Sequence, residues 1–203
     1  MKKSILMIVL LAVSAVACKK TDNKPTEDAP AVPVTIGGRT YPTVKIGTQT
    51  WTTVNYDGPG GVPYDAQNTK PAYGKYYTNA EMKAIVAPTG WHVPTMDDFR
   101  KLAATAGIQF NVNTDNTEAI RKLTAKTGWL NVQGTNVLGF NAHPAGYIVN
   151  NEPPLGGENA EFWTADDRTC SLMEGGNKTS MLIRFYAYTT VETDRFNIRF
   201  VKN

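Results

Sequence analysis

The chain has 203 residues, 21 Lys and Arg against 18 Asp and Glu for a formal charge of +3, and 41% hydrophobic residues. That balance is ordinary for a folded domain, and no basic run with interleaved aromatics is present to suggest a nucleic-acid partner. Two cysteines, Cys18 and Cys170, are too few for a disulfide framework.

Residues 1–17 begin with Lys2-Lys3, continue through an apolar stretch from Ile5 to Val13, and end Ala15-Val16-Ala17 before Cys18. The stretch is too short to span a bilayer as a helix. Its pattern is that of a secretory signal whose small residues precede a cysteine to be lipidated. Cys18 is therefore expected to carry the acyl chains, each worth about 0.8 kcal/mol per buried CH₂, which anchor the rest of the chain to a membrane. Cys170 is then left without a partner and reads as a small buried apolar residue. Residues 18–33, polar and proline-rich, are expected to form a flexible tether after the lipidated cysteine. Lys19-Lys20 follow Cys18 where no Asp stands, which by the sorting rule of other bacteria points to the outer membrane and leaves its face open.

From Val34 the composition shifts to alternating short strands, with Gly37-Gly38 and Gly47 marking turns between them. Residues 57–75, rich in Gly, Pro and Asn, read as a long ordered loop. The segment "NAEMKAIVA" is expected to be a helix capped near Asn79, with Met82, Ile85 and Val86 on one face. In "PTMDDFRKLAATAG", Thr95 and Asp98 have capping-box spacing, and Phe99, Leu102, Ala103 and Ala106 fall at i, i+3, i+4 and i+7 before Gly107. A third short helix is predicted in "DNTEAIRKLTA", with Asp115 and Glu118 at capping-box spacing and Ile120, Leu123 and Leu130 to bury. After residue 128 the chain is irregular and β-rich. At the end, "TSMLIRFYAYTTV" and "RFNIRFV" alternate and predict a hairpin around "ETD", with Phe196, Ile198 and Phe200 on one face. Strands at both ends with helices between them imply an α+β fold, closed by pairing of the first and last strands.

Three blocks, "YPTVKIGTQTWTTVNY", "YGKYYTNAEM…APTGWHVPTMDDFRKL" and "GFNAHPAGYIVN…FWTADD…RFNIRFVKN", together resemble the Fibrobacter succinogenes major paralogous domain family, over residues 34–203. That family is known from surface lipoproteins of Bacteroidota and relatives. The resemblance implies a C-type-lectin-like α+β domain with paired terminal strands, two or three short helices and a long irregular loop region, distantly related to formylglycine-generating enzymes. The chain departs from the family at Ala87 and at Phe200-Val201, where many members carry cysteine. If those cysteines pair in relatives, packing alone must hold the termini here.

His92, between Trp91 and a capped helix, reads as a structural corner, because no carboxylate is placed by sequence to orient it as a general base. His143 stands alone and reads as a polar side chain on a turn. One free thiol cannot supply the reactive cysteine pair that the enzyme relatives imply, and no G-x-S-x-G elbow occurs. The expectation is thus a protein that is not an enzyme.

C-type lectins that hold calcium use E-P-N and W-N-D tripeptides. Here Glu152-Pro153-Pro154, and Trp163 followed by Asp166-Asp167, offer imperfect counterparts, so Glu152, Asp166 and Asp167 are weak calcium candidates. No other cofactor is expected. Tyr56, Tyr64, Tyr73, Tyr76, Tyr77 and Tyr147 lie in or beside loops and could stack on sugars. Asn150, Asn151, Asn159 and Asn177 offer polar contacts. The binding surface is expected at 148–178 with Tyr147, through Asn150, Asn151, Glu152, Trp163, Asp166 and Asp167. The function expected is a lipid-anchored, extracytoplasmic binding or adhesion domain for a glycan or a surface protein. The alternative is a structural subunit of a surface assembly such as a pilus or an outer-membrane complex.

Overall fold

Gly37 and Gly38, both at positive φ, reverse the chain between β1 (Val34–Ile36) and β2 (Arg39–Tyr41), the backbone shape that two-residue hairpins need and that glycine adopts without strain. Gly47 does the same between β3 (Thr43–Ile46) and β4 (Gln49–Thr52). The structure is a computed structural model that describes residues 31–110, 114–154, 156–187 and 192–203. Residues 1–30, where the expected leader, the expected lipidation site Cys18 and most of the expected tether fall, lie outside the described residues.

The order that follows is β5 (Val62–Pro63), a 3₁₀ turn (Pro71–Tyr73), β6 (Lys75–Tyr76), α1 (Asn79–Lys83), α2 (Met96–Ala106), α3 (Thr117–Arg121), β7 (Asn159–Trp163), β8 (Arg168–Glu174), β9 (Met181–Ala187) and β10 (Val201–Lys202). The fold is α+β: among the described residues, antiparallel sheets β1-β2, β10-β4-β3, β5-β6 and β7-β8-β9, with three short helices. Among the described residues no helix is long and apolar enough to cross a membrane.

The helix α2 behaves as its sequence reads. Thr95 and Asp98 form a reciprocal capping box, Gly107 closes the helix at φ 90, and Phe99, Leu102, Ala103 and Ala106 are buried. The other helices need correction. Thr78, not Asn79, caps α1: its Oγ1 accepts from the Glu81 amide while Glu81 accepts from the Thr78 amide. The helix then stops at Lys83, so Val86 is exposed rather than packed with Met82. In α3, Asn116 occupies the cap position and Asp115 accepts from the Thr117 amide, so the Asp115–Glu118 box does not form. Ile120 and Leu123 are buried, but Leu130 is exposed. The 57–75 loop contains β5, which pairs with β6 where the loop ends, Pro63 opposite Lys75 and Val62 opposite Tyr76.

The end of the chain departs furthest from the alternating pattern. Strand β9 pairs with β8, not with the segment after it. Residues 196–200 instead thread between sheets: Phe196 exchanges backbone bonds with Tyr77, Asn197 with Glu161 and Trp163, and Ile198 and Phe200 accept from Tyr56 and Thr52. Phe196 to Val201 are all buried, polar members included. A segment buried on both faces has no solvent side for alternation to mark. The final strand does close the domain, but against β4 rather than the first strand.

Two apolar clusters meet across this segment. Trp51, Phe99, Phe140 and Phe162 stack in the larger, with ring centroids 5.2–5.9 Å apart. Tyr56, Tyr77, Trp163, Phe196 and Phe200 dominate the smaller. Cys170 is a free, fully buried thiol in the larger cluster, and burial first, then the nearby Glu161 carboxylate, push its ionisation well up.

Candidate functional site

The strand β7 presents two faces. Ala160 and Phe162 enter the larger core, so Asn159, Glu161 and Trp163 must point the other way. Register places Asn159 opposite Met173, Glu161 opposite Ser171 and Trp163 opposite Thr169, and then Ser171 opposite Arg184 and Thr169 opposite Tyr186 on β9. Alternation thus collects a polar row on the face turned away from the larger core.

The free edge of β7 is closed by two pieces of irregular chain. Gly146 bridges Ala160 and Asn197 bridges Phe162, both in parallel register. Their neighbours Tyr147 and Phe196 thereby stand over the polar row, 5.8 Å apart and inclined at 41°. The result is an open cleft of about 260 Å³ lined by Tyr147, Asn159, Glu161, Met173, Tyr186 and Phe196.

Glu161 forms its floor at 5% exposure. One carboxylate oxygen accepts from Thr169 Oγ1 at 2.6 Å and the other from Asn159 Nδ2 at 3.2 Å. No Lys, Arg or His among the described residues pairs with it. Burial pushes its carboxyl above the usual carboxylate range, against the pull of the Thr169 and Asn159 bonds. Arg184 shares its sheet row, but the guanidinium bonds to the Ile183 carbonyl. Tyr186, 44% exposed, donates to Met173 Sδ at the mouth.

A second cleft of about 400 Å³ lies on the other side of the Ile148–Arg195 bridge, lined by Tyr64, Asn151, Glu152, Pro153, Pro154 and Arg195 among others. Here Arg195 is already committed, donating to Glu81 at 2.6 Å.

The residues singled out from sequence are scattered by this arrangement. Tyr147 is in the first cleft, and Asn151 and Glu152 are in the second. Asn150 and Asn151 are both at positive φ in the turn beside it, the Asn150 amide bonding to Asp194. Trp163 is fully buried, its indole N–H donating to the Tyr77 carbonyl and its ring edge-on to Phe196, so no ligand can stack on it. Asp166 accepts from the first amide of α2, and Asp167 pairs with Lys83 and accepts from Asn79 at α1. Glu152 thus does not join the two aspartates, and no group of three metal-ligating side chains occurs among the described residues. Most loop tyrosines are packing elements: Tyr76 and Tyr77 are buried with hydroxyls donating to the Ala145 and Gly58 carbonyls, and Tyr56 and Tyr73 are buried as well.

For the histidines it is the premise, not the reading of His92 as a corner, that changes. His92 does have a carboxylate partner, since its Nε2 lies 3.0 Å from Asp98 Oδ2. Asp98 is itself saturated by the Thr95 amide and hydroxyl, Gln49 Nε2 and Asn203 Nδ2. Burial alone would raise its carboxyl; the bonds from Thr95, His92 and Asn203 hold it down to about 2. No hydroxyl or thiol bonds to His92 among the described residues, and its backbone exchanges hydrogen bonds with Val201. This corner anchors the C-terminal strand by packing and hydrogen bonds. His143 packs against Tyr73, and burial, then the neighbouring Arg199 charge, lower it to about 4.

Sequence reading missed Glu161, Thr169, Met173, Tyr186 and Phe196 as site residues. The strand register brings the first four together, and it was not available from periodicity. No curated protein and no solved structure matches the chain. The model of the Fibrobacter succinogenes major domain matches residues 44–202, which take in both clefts and the His92 corner, and the chain belongs to that family.

Proposed function

We propose that the chain is a lipid-anchored, extracytoplasmic domain of the outer membrane that binds glycans and catalyses no reaction, with the cleft over Glu161 as its binding site. The observation that carries this reading is the joining of Tyr147, Tyr186 and Phe196 with the hydrogen-bonding ends of Asn159 and Glu161 in one open cleft. Apolar ring faces stack on the C–H face of a sugar while buried polar groups fix its hydroxyls. At about 260 Å³, the cleft lies below the ~300–1,000 Å³ of drug-sized sites, which suits a single ring of a longer chain. A C-type-lectin-like arrangement is supported by the return of β10 to β4, the helices between them, and the long irregular stretch before β7. The saturated Asp98 supports reading the His92 pair as an anchor rather than a base.

The test is a glycan array probed with the full chain in detergent, with calcium and again with chelator. Binding is expected to be indifferent to chelator and to fall at least tenfold in Tyr147→Ala and Tyr186→Ala. Chelator-sensitive binding would return Glu152, Asp166 and Asp167 to consideration. No binding to any glycan, with co-purification of other envelope proteins, would replace this reading by a structural role.

A further inference from the structure

Glu161 is buried without the partners that buried carboxylates usually gather. The other deeply buried glutamate, Glu174, accepts from the Asn131 and Val132 amides and from Asn131 Nδ2. Asp98 accepts from five donors. Among the described residues Glu161 has two side-chain donors, no backbone amide and no cation. A carboxylate has room for about four hydrogen bonds, so its remaining acceptor capacity is turned to the cleft. If the ligand offered only hydroxyls there, a glutamine would serve at lower desolvation cost.

The surroundings favour positive charge. Tyr147, Phe196 and Tyr186 contribute π-systems and Met173 a polarisable sulfur around the acid, and ring faces attract ammonium groups most strongly where water is excluded. The nearest cation along the sheet row, Arg184, bonds to Ile183 and leaves the place open. The two wall rings, tilted at 41°, form an open corner rather than a closed cage. That shape admits a flat ring carrying a small primary ammonium, whose three N–H groups can reach Glu161 and Asn159.

We propose that Glu161 receives the protonated amino group of an unacetylated amino sugar. This rests on the glycan reading above and names the sugar class. The amine sits on Glu161, the pyranose ring packs on Tyr147 and Phe196, and an N-acetyl group at the same position brings no charge and too much bulk for the floor.

The probes are a β-1,4-glucosamine hexamer, its fully N-acetylated counterpart, and butylammonium, titrated by calorimetry into the full chain in detergent at a pH where the amines are protonated. The glucosamine hexamer is expected to bind at least tenfold more tightly than the acetylated one. Glu161→Gln is expected to abolish that preference, with an unfolding curve no weaker than that of the native chain. Tyr186→Ala, at an exposed position, weakens the hexamer without touching the fold. Equal binding of both hexamers with no effect of Glu161→Gln would overturn the amine assignment and leave glycan binding standing. Butylammonium bound at Glu161 while neither hexamer binds would overturn the sugar as carrier, and the glycan reading with it.

Discussion

Arg199 is 0% exposed and Glu161 5%, yet one is enclosed by its own protein and the other opens to a cleft. The guanidinium of Arg199 donates from Nε to Asn55 Oδ1 at 2.6 Å, from Nη1 to the Thr52 and Phe140 carbonyls, and from Nη2 to the Asn141 carbonyl. It also lies over the Phe140 ring at 4.7 Å. No carboxylate is among these partners; the charge is met by dipoles and π-electrons, and although burial lowers its pKa to about 9 it stays protonated at neutral pH. One side chain thereby ties the C-terminal segment to the end of β4 and to the loop before His143. Glu161 shares the depth and lacks the partners. The difference separates a buried charge used to hold loops in place from one left with capacity for something else.

The largest expected effect comes from breaking the saturated member. Arg199→Met keeps bulk but strands four acceptors, and should cost about 4 kcal/mol or prevent folding. Arg199→Lys should recover part of this, because a point-like ammonium cannot span a planar fork of acceptors. Urea midpoints measure both; a loss under about 1 kcal/mol for Arg199→Met would mean that the knot of carbonyls has other support.

Asp98 should come next. In Asp98→Asn an amide N–H₂ replaces one oxygen and faces donors from Thr95, His92, Gln49 or Asn203, at a cost of about 2 kcal/mol. Its pH signature has a definite sign. The folded carboxyl is held at about 2, below its ordinary 3.8, so the stabilisation is present above about pH 4 and is lost as pH falls toward 2. Native protein should therefore show a steeper acid limb in its unfolding midpoint than Asp98→Asn, with the two curves converging at low pH.

What could be read from sequence divides along the same physical line. Local rules found α2 with its caps and buried face and the glycine turns, because each depends on residues within a turn or two of one another; the buried Cys170 followed instead from the cysteine count. The 196–201 segment defeated periodicity because it is buried on all sides, and a charged Arg199 inside such a run looks like a solvent-facing residue. Glu161, in "NAEFW", carried no signal by itself. Its importance arises from pairing with Thr169 across a hairpin and from Tyr147 and Phe196 arriving from distant stretches. Trp163 misled for the opposite reason: beside two acidic residues it suggested a ligand motif, while its indole was needed to bond the Tyr77 carbonyl inside the core.

Glu161→Gln should give the smallest change, and the one of opposite sign. The carboxyl is raised above its ordinary 4.5 by burial, so the native state retains a proton that the unfolded chain has released. Stability is then fully present below about pH 4.5, declines as pH rises through the folded value, and levels off above it. The groups around it reinforce this direction: Tyr147 and Tyr186 bring no positive charge, Cys170 behind the strand is neutral, and Arg184 is turned to Ile183. Glutamine can keep both neighbours, since the Thr169 hydroxyl can accept as readily as donate. The variant should match the native chain near pH 4 and exceed it at pH 7.5 by about 1 kcal/mol. A stabilised variant would mark Glu161 as a residue kept at the expense of the fold, the pattern of a binding group. A loss of 1 kcal/mol or more at pH 7.5 would place it with Asp98 and Arg199 as a structural charge, and the contrast between the two regions would disappear.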